Sequence, residues 1–163
     1  MNESLINKDM VILDLPVNSK TEALHHICAH LYLHKKTVNP SSLYDDIIER
    51  EDKVSTFAGQ QVAIPHVITQ YISEPTLCFV RIENEDFTWS DNDQNVRMIF
   101  LLCVPEQHDL QKLRLSQSYI FSSIAQLMGD MKIIDLWLTT NDQQAILDSL
   151  QLAFESNLNK TTG

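Results

Sequence analysis

The run Val96-Arg97-Met98-Ile99-Phe100-Leu101-Leu102-Cys103-Val104 is apolar at every position but one. It is far too short to cross a bilayer. Its β-branched and aromatic content predicts a strand. A strand without a polar alternate face cannot lie with one side in water, so it must be central and covered on both faces. That requirement leaves few architectures. The rest of the chain has to supply neighbouring strands and helices to cover the sheet, which is a layered α/β domain.

The flanking patterns fit. "MVILDL" (10–15) and "TLCFVRI" (76–82) read as strands, and short extended pieces are expected around Gly59, between Val54 and Pro65. Ser19 with Glu22 has capping-box spacing ahead of Leu24, Ile27, Cys28 and Leu31, predicting a helix near 19–34. Asn39-Pro40 can start a second helix through "LYDDIIERE". Helical periodicity returns at 109–128, again in "MKIIDLWL", and in a last helix opened by Asn141-Asp142-Gln143-Gln144. The expected fold is a single-domain mixed β-sheet flanked by helices on both faces, spanning 1–156, with 157–163 a flexible polar tail.

The chain has 163 residues, suited to one domain. Its formal charge of −10 argues against nucleic acid or an anionic membrane as partner. Cys28, Cys78 and Cys103 are odd in number and widely spaced, so reduced buried thiols are expected rather than disulfides or a zinc site. The opening "MNESLINKDM" lacks the basic region and apolar core of a signal peptide. A cytoplasmic domain is the expectation. No Gly-rich phosphate loop is present, which weakens nucleotide-binding proposals.

"VAIPHV" (62–67) carries the chemistry. Pro65 cannot donate to a sheet, so it closes the apolar run and leaves His66 where the chain is expected to exit. Arg50 ends a helix shortly before. His108 follows the central strand, in "CVPEQHDL". Parallel neighbouring strands would put both exits on one sheet edge, where α/β proteins bind ligands. A neutral imidazole can carry a covalent group, and a guanidinium can fork onto phosphoryl oxygens. A second imidazole can donate to the same oxygens. A histidine at a strand end is ordinarily a solvated loop residue, and an arginine at a helix end is ordinarily a dipole partner. Spacing leaves both readings open.

The segment "REDKVSTFAGQQVAIPH" resembles the phosphorylation-site motif of the fructose/mannitol-type (type 2) enzyme IIA domain of the sugar phosphotransferase system (PTS). The matching positions are Arg50-Glu51, Thr56, Gly59 and Ala63-Ile64-Pro65-His66. "LLCVPEQHDLQKLRLS" resembles that family's apolar strand, histidine and Leu-rich helix, and the likeness spans essentially the whole chain. It implies the mannitol/fructose-type IIA fold. It implies that His66 accepts a phosphoryl group from the carrier HPr and passes it to a IIB component, coupled through membrane IIC to sugar uptake. His108 would be the second active-site imidazole and Arg50 the phosphate-facing cation, with no cofactor. Phe57, Gln61 and Val67 stand where many members have Gly, and Asp109 where Leu is frequent.

The same fold and the same His66 phosphorylation would also suit a regulator that acts by binding other proteins. A metal hydrolase is a third possibility, because His26, His30 and His34 recur every four residues, with His25 adjacent. At about 100° per residue His26 and His30 point away from the Leu24/Ile27/Leu31 stripe and are expected to face solvent, with His34 near its edge. No carboxylate or Cys at matching spacing completes a ligand set, so no metal is expected. The acidic cluster "ENEDFTWSDND" (83–93) reads as a loop with Phe87 and Trp89 folded inward, and less readily as a rim for a basic partner.

Overall fold

The computed structural model describes residues 5–90 and 94–162. The chain forms two compact units, Met1–Pro105 and Glu106–Gly163.

The first unit holds a mixed sheet, six-stranded among the described residues. Its strands are β1 (Val11–Leu15), β2 (Phe57–Gly59), β3 (Val62–Ala63), β4 (His66–Thr69), β5 (Thr76–Ile82) and β6 (Met98–Pro105). The order is β1-β5-β6-β3-β2, with β4 also pairing β6. β5 runs antiparallel to β6, while β3 and β4 both run parallel to it. The apolar run is thus the central strand, and Met98 through Val104 are all buried. Each such Leu, Ile or Phe contributes roughly 1.5–3 kcal/mol through its burial.

Two helices belong to this unit: α1 (Lys20–Leu33) and α2 (Pro40–Lys53). Ser19 Oγ accepts from the Glu22 N–H at 3.1 Å, and Asn39 Oδ1 accepts from the Ser42 N–H at 3.1 Å. Each cap stabilises its helix by about 1 kcal/mol. The capping box does not close as spaced: the Glu22 carboxylate accepts from the Asn18 N–H instead of that of Ser19. α1 packs on α2, and α2 against β4.

The second unit comprises α3 (Leu110–Met128), α4 (Met131–Thr139) and α5 (Gln143–Thr162). Ile120, Ile124, Trp137 and Phe154 are buried. Trp137 Nε1 donates to Ser149 Oγ at 3.0 Å, tying α4 to α5. α5 continues through the stretch whose composition predicts a tail. There the Asn157 amide donates to Ser123 Oγ and to Gln126 Oε1 of α3, both at 3.1 Å.

Candidate functional site

The final turn of α2 starts the site. Residues 50 and 51 are successive on the helix, so their side chains diverge by about 100°. Arg50 Nη1 donates to the Val54 carbonyl at 3.1 Å, which aims the guanidinium along the helix end. Glu51 points inward and is only 3% exposed. Its carboxylate accepts from the Thr56 N–H at 3.0 Å, the Thr56 hydroxyl at 2.6 Å and Trp89 Nε1 at 2.9 Å.

The chain then turns through Gly59, Gln60 and Gln61 with φ of 89°, 51° and 63°. A Cβ on Gly59 would meet nothing, so its backbone angle, not space, calls for glycine. Gln61 adopts the left-handed conformation without that freedom. Its carbonyl is used twice, accepting from Arg97 N–H and Met98 N–H at 2.9 and 3.1 Å. These bonds hold the turn against the start of β6.

β3 is short because Pro65 interrupts it. Ile64 N–H donates to the Thr56 carbonyl at 3.0 Å, and Leu102 N–H to the Pro65 carbonyl at 2.9 Å. The chain rejoins β6 at once: His66 opens β4 and lies opposite Leu102. This corrects the expectation that His66 marks the chain's exit from the sheet. Pro65 withholds one donor but leaves its carbonyl available, so the strand pauses and resumes. The expected parallel pairing is present in β3 and β4 with β6.

The His66 ring is half-buried, and two neighbours fix its protonation. Nδ1 lies 2.9 Å from the Ile64 carbonyl, which can only accept. Nε2 lies 3.1 Å from Arg50 Nη2, which can only donate. The proton therefore sits on Nδ1 and the lone pair on Nε2. Burial pushes the imidazole pKa below its ordinary value. The Ile64 hydrogen bond pulls it up, the Arg50 charge lowers it, and Glu51 raises it. The result is a neutral imidazole with its nucleophilic nitrogen beside a fixed cation.

Of the candidate residues, the structure brings His66 and Arg50 together. His108 stands in the second unit, exposed, just before the α3 cap residue Asp109. Sequence reasoning gave Glu51 no role beyond its place in the motif and did not join Trp89 to it. The available signal was the Arg-Glu pair itself, a carboxylate at a helix end where the dipole disfavours it. Phe87 and Trp89 are buried at 1% and 3% exposure, which fits the inward-folded reading of the acidic cluster, although residues 91–93 lie outside the described residues.

His26 on α1 and His34 at its C-cap are exposed. His30, expected to face solvent, is partly covered, and its Nε2 donates to the Asp9 carbonyl. Among the described residues no group of three His, Cys, Asp or Glu is placed to hold a metal. The three thiols are buried; Cys28 and Cys78 are pushed up to about 12 by burial, and Cys103 is raised too. A cleft of about 200 Å³ is lined by Lys35, Lys36, Gln70 and Ser73 among others, and includes none of the site residues. No helix among the described residues is long and apolar enough to cross a membrane.

Comparison with known proteins adds the family context. The model described as "Phosphoenolpyruvate-dependent sugar phosphotransferase system, EIIA 2" matches residues 4–152. Multiphosphoryl transfer protein 1 of Escherichia coli (strain K12) is 23% identical over 147 residues, covering 90% of this chain but only 17% of that protein. A nitrogen regulatory protein of Bradyrhizobium diazoefficiens is 28% identical over 148 residues, covering 91% of this chain and 93% of the relative. A chain of the solved complex of enzyme IIAMTL and phosphorylated enzyme IIBMTL from Escherichia coli superposes with a TM-score of 0.68 at 17% identity. That match covers 89% of this chain and 96% of the other.

Proposed function

Because this chain belongs to the EIIA 2 family of the phosphoenolpyruvate-dependent sugar phosphotransferase system, we propose that it is a phosphoryl carrier with His66 as the acceptor. The donor is phosphorylated HPr and the acceptor downstream is a IIB component in the cytoplasm, with membrane IIC coupling transfer to sugar uptake. The observation that carries this reading is the double hold on His66: Ile64 keeps the proton on Nδ1, and Arg50 marks the lone pair on Nε2.

In the transfer step the donor's nitrogen–phosphorus bond breaks as the Nε2–phosphorus bond forms. The Nδ1 proton stays on its hydrogen bond to Ile64. The donor ring, carrying a proton on its other nitrogen, departs as neutral imidazole. The incoming phosphoryl group takes the place of the Arg50–Nε2 hydrogen bond, and the guanidinium then faces the phosphoryl oxygens. A relay member must not overstabilise its loaded form. Arg50 serves best by favouring the charge-rich transferring state over the resting phosphohistidine.

His108 is assigned as the second imidazole on sequence resemblance alone. His108→Ala is expected to slow transfer about a hundredfold, at the lower end of the range for general acid–base partners, with little change in melting temperature. The deciding experiment is incubation with phosphorylated HPr followed by intact mass and phosphohistidine mapping. One added phosphoryl group on His66 supports the carrier; an unlabelled, folded protein overturns it.

The match to a nitrogen regulatory protein over 91% of this chain favours a second reading. In it His66 phosphorylation controls binding to other proteins. Rapid transfer from phospho-His66 to a cognate IIB supports the transporter role; a long-lived phosphoprotein that no IIB discharges supports the regulator.

A further inference from the structure

We propose that Glu51 is a positioning residue for phosphoryl transfer: through Thr56 it anchors both groups that hold the His66 ring. This inference rests on His66 being the phosphoryl acceptor.

The chain of contacts has two branches from one carboxylate. Glu51 takes both the backbone N–H and the hydroxyl of Thr56, at 3.0 and 2.6 Å. On one side, fixing Thr56 fixes the short segment back to Val54, whose carbonyl accepts from Arg50 Nη1 at 3.1 Å and so aims Nη2 at His66 Nε2. On the other side, the Thr56 carbonyl accepts from Ile64 N–H at 3.0 Å, and the Ile64 carbonyl in turn accepts from His66 Nδ1 at 2.9 Å. The two partners that dictate the imidazole tautomer thus share one anchor. Trp89 Nε1, at 2.9 Å, holds that anchor from behind.

Helix stability would not choose this residue. Glu51 lies in the last turn of α2, where the dipole favours cations. It is buried, where a carboxylate is costly unless fully hydrogen-bonded. Its three donors meet that need and belong to segments that carry the site. Local rules of this kind tend to be broken at functional positions.

The role predicts which substitutions matter. In Glu51→Gln the amide oxygen can keep accepting from Thr56 N–H and Trp89 Nε1. The amide NH2 can donate to the Thr56 hydroxyl, which turns to accept. Glu51→Leu keeps the bulk and loses every bond. With phosphorylated HPr as donor, Glu51→Leu should lower kcat about tenfold or more, with KM within about twofold, since small misplacements of reacting groups cost this much. Glu51→Gln should stay within about threefold of wild type. Nitrogen-15 NMR of the His66 ring should show the Nδ1–H tautomer in wild type and in Glu51→Gln, and a mixture with Nε2–H in Glu51→Leu. Should Glu51→Leu fail to fold, Thr56→Val and Trp89→Phe each remove one donor, and each should move the tautomer ratio partway. A folded Glu51→Leu, or both single-donor variants, with wild-type kcat and tautomer would overturn the proposal. So would a Glu51→Gln whose tautomer is mixed. Failure of phosphorylated HPr to label wild-type His66 would instead reject the carrier role, and the tautomer measurement would still judge the anchor.

Discussion

His66 and the histidines of α1 are the same side chain in two settings. On α1, His25 stacks on Tyr44 with ring centroids 3.6 Å apart, and His30 donates to the Asp9 carbonyl. His34 lies beside the Asp9 carboxylate at 3.9 Å. These contacts engage a ring face or a ring edge at the surface. At His66 an obligate acceptor meets one nitrogen and an obligate donor meets the other. The acceptor is the Ile64 carbonyl, in backbone tied to Thr56, and the donor is the Arg50 guanidinium, itself tied to the Val54 carbonyl. A row of histidines at regular spacing offers more imidazole than one histidine after a proline. What separates them chemically is the polarity of their partners, because only that fixes which nitrogen can attack.

The strongest way to break this comparison is to remove each ring. His66→Ala should lower labelling by phosphorylated HPr about a thousandfold or more, as loss of a nucleophile does. His26→Ala and His34→Ala should leave the rate within about twofold, as expected of surface positions outside the reacting set. Intact mass spectrometry reads both. Full labelling of the His66→Ala protein would return the choice to another residue.

Removal of the donor partner comes next. Arg50→Ala should slow transfer about a hundredfold, the usual cost of one preorganised donor aimed at developing charge. Arg50→Lys should recover only part. Its ammonium is a point charge that cannot reach Val54 and His66 in one planar fork. Single-turnover rates of the two variants would separate charge from geometry, and equal rates for Lys and Arg would show that geometry is unimportant.

Much of this was legible in the chain. Continuous apolarity marked β6 as central, and the caps at Ser19 and Asn39 placed two helices. The nearness of Arg50 to His66 was foreseen, because a guanidinium and an imidazole within one motif suit phosphate chemistry. The path of the backbone at Pro65 was not. Proline reads as a stop, yet its free carbonyl accepts from Leu102 and lets β4 resume at His66. The Asp9–His30 contact was equally hidden, since it joins positions far apart in sequence through a backbone oxygen. Glu51 stood in the sequence only as part of the Arg-Glu start of the motif, with nothing to say that it is buried. Its burial depends on Thr56 and Trp89 arriving from separate segments, which no periodicity encodes.

A gentler test uses pH. The His66 pKa is lowered, chiefly by burial, with Arg50 adding to the effect. An ordinary imidazole gains its proton near pH 6.5; His66 should stay neutral further down. Its ring signals should titrate with a midpoint below that value by NMR, and Arg50→Ala should raise the midpoint. For stability, the unfolded chain takes up this proton first as pH falls. His66 therefore contributes nothing to pH dependence well above 6.5, and it costs stability as pH drops from 6.5 through the folded value. A midpoint at or above 6.5 would remove the claim that its neighbours hold the ring neutral.

The smallest expected effect sharpens the comparison from the other side. His30 bonds a backbone carbonyl in the helical turn Lys8–Met10 that leads into β1. The contact lies at a partly exposed position, so its loss in His30→Ala should cost about 1 kcal/mol. For a chain of this size that lowers the melting temperature by roughly 2–4 °C. Phosphorylation of His66 should be untouched, because the two contacts described on that ring come from Arg50 and Ile64, neither of them on α1. His26→Ala, which lacks the Asp9 contact, is the control and should melt within about half of that shift. A tenfold loss of labelling in His30→Ala at full foldedness would mean that α1 shares in the chemistry, and the contrast between a structural and a reactive histidine would have to be redrawn.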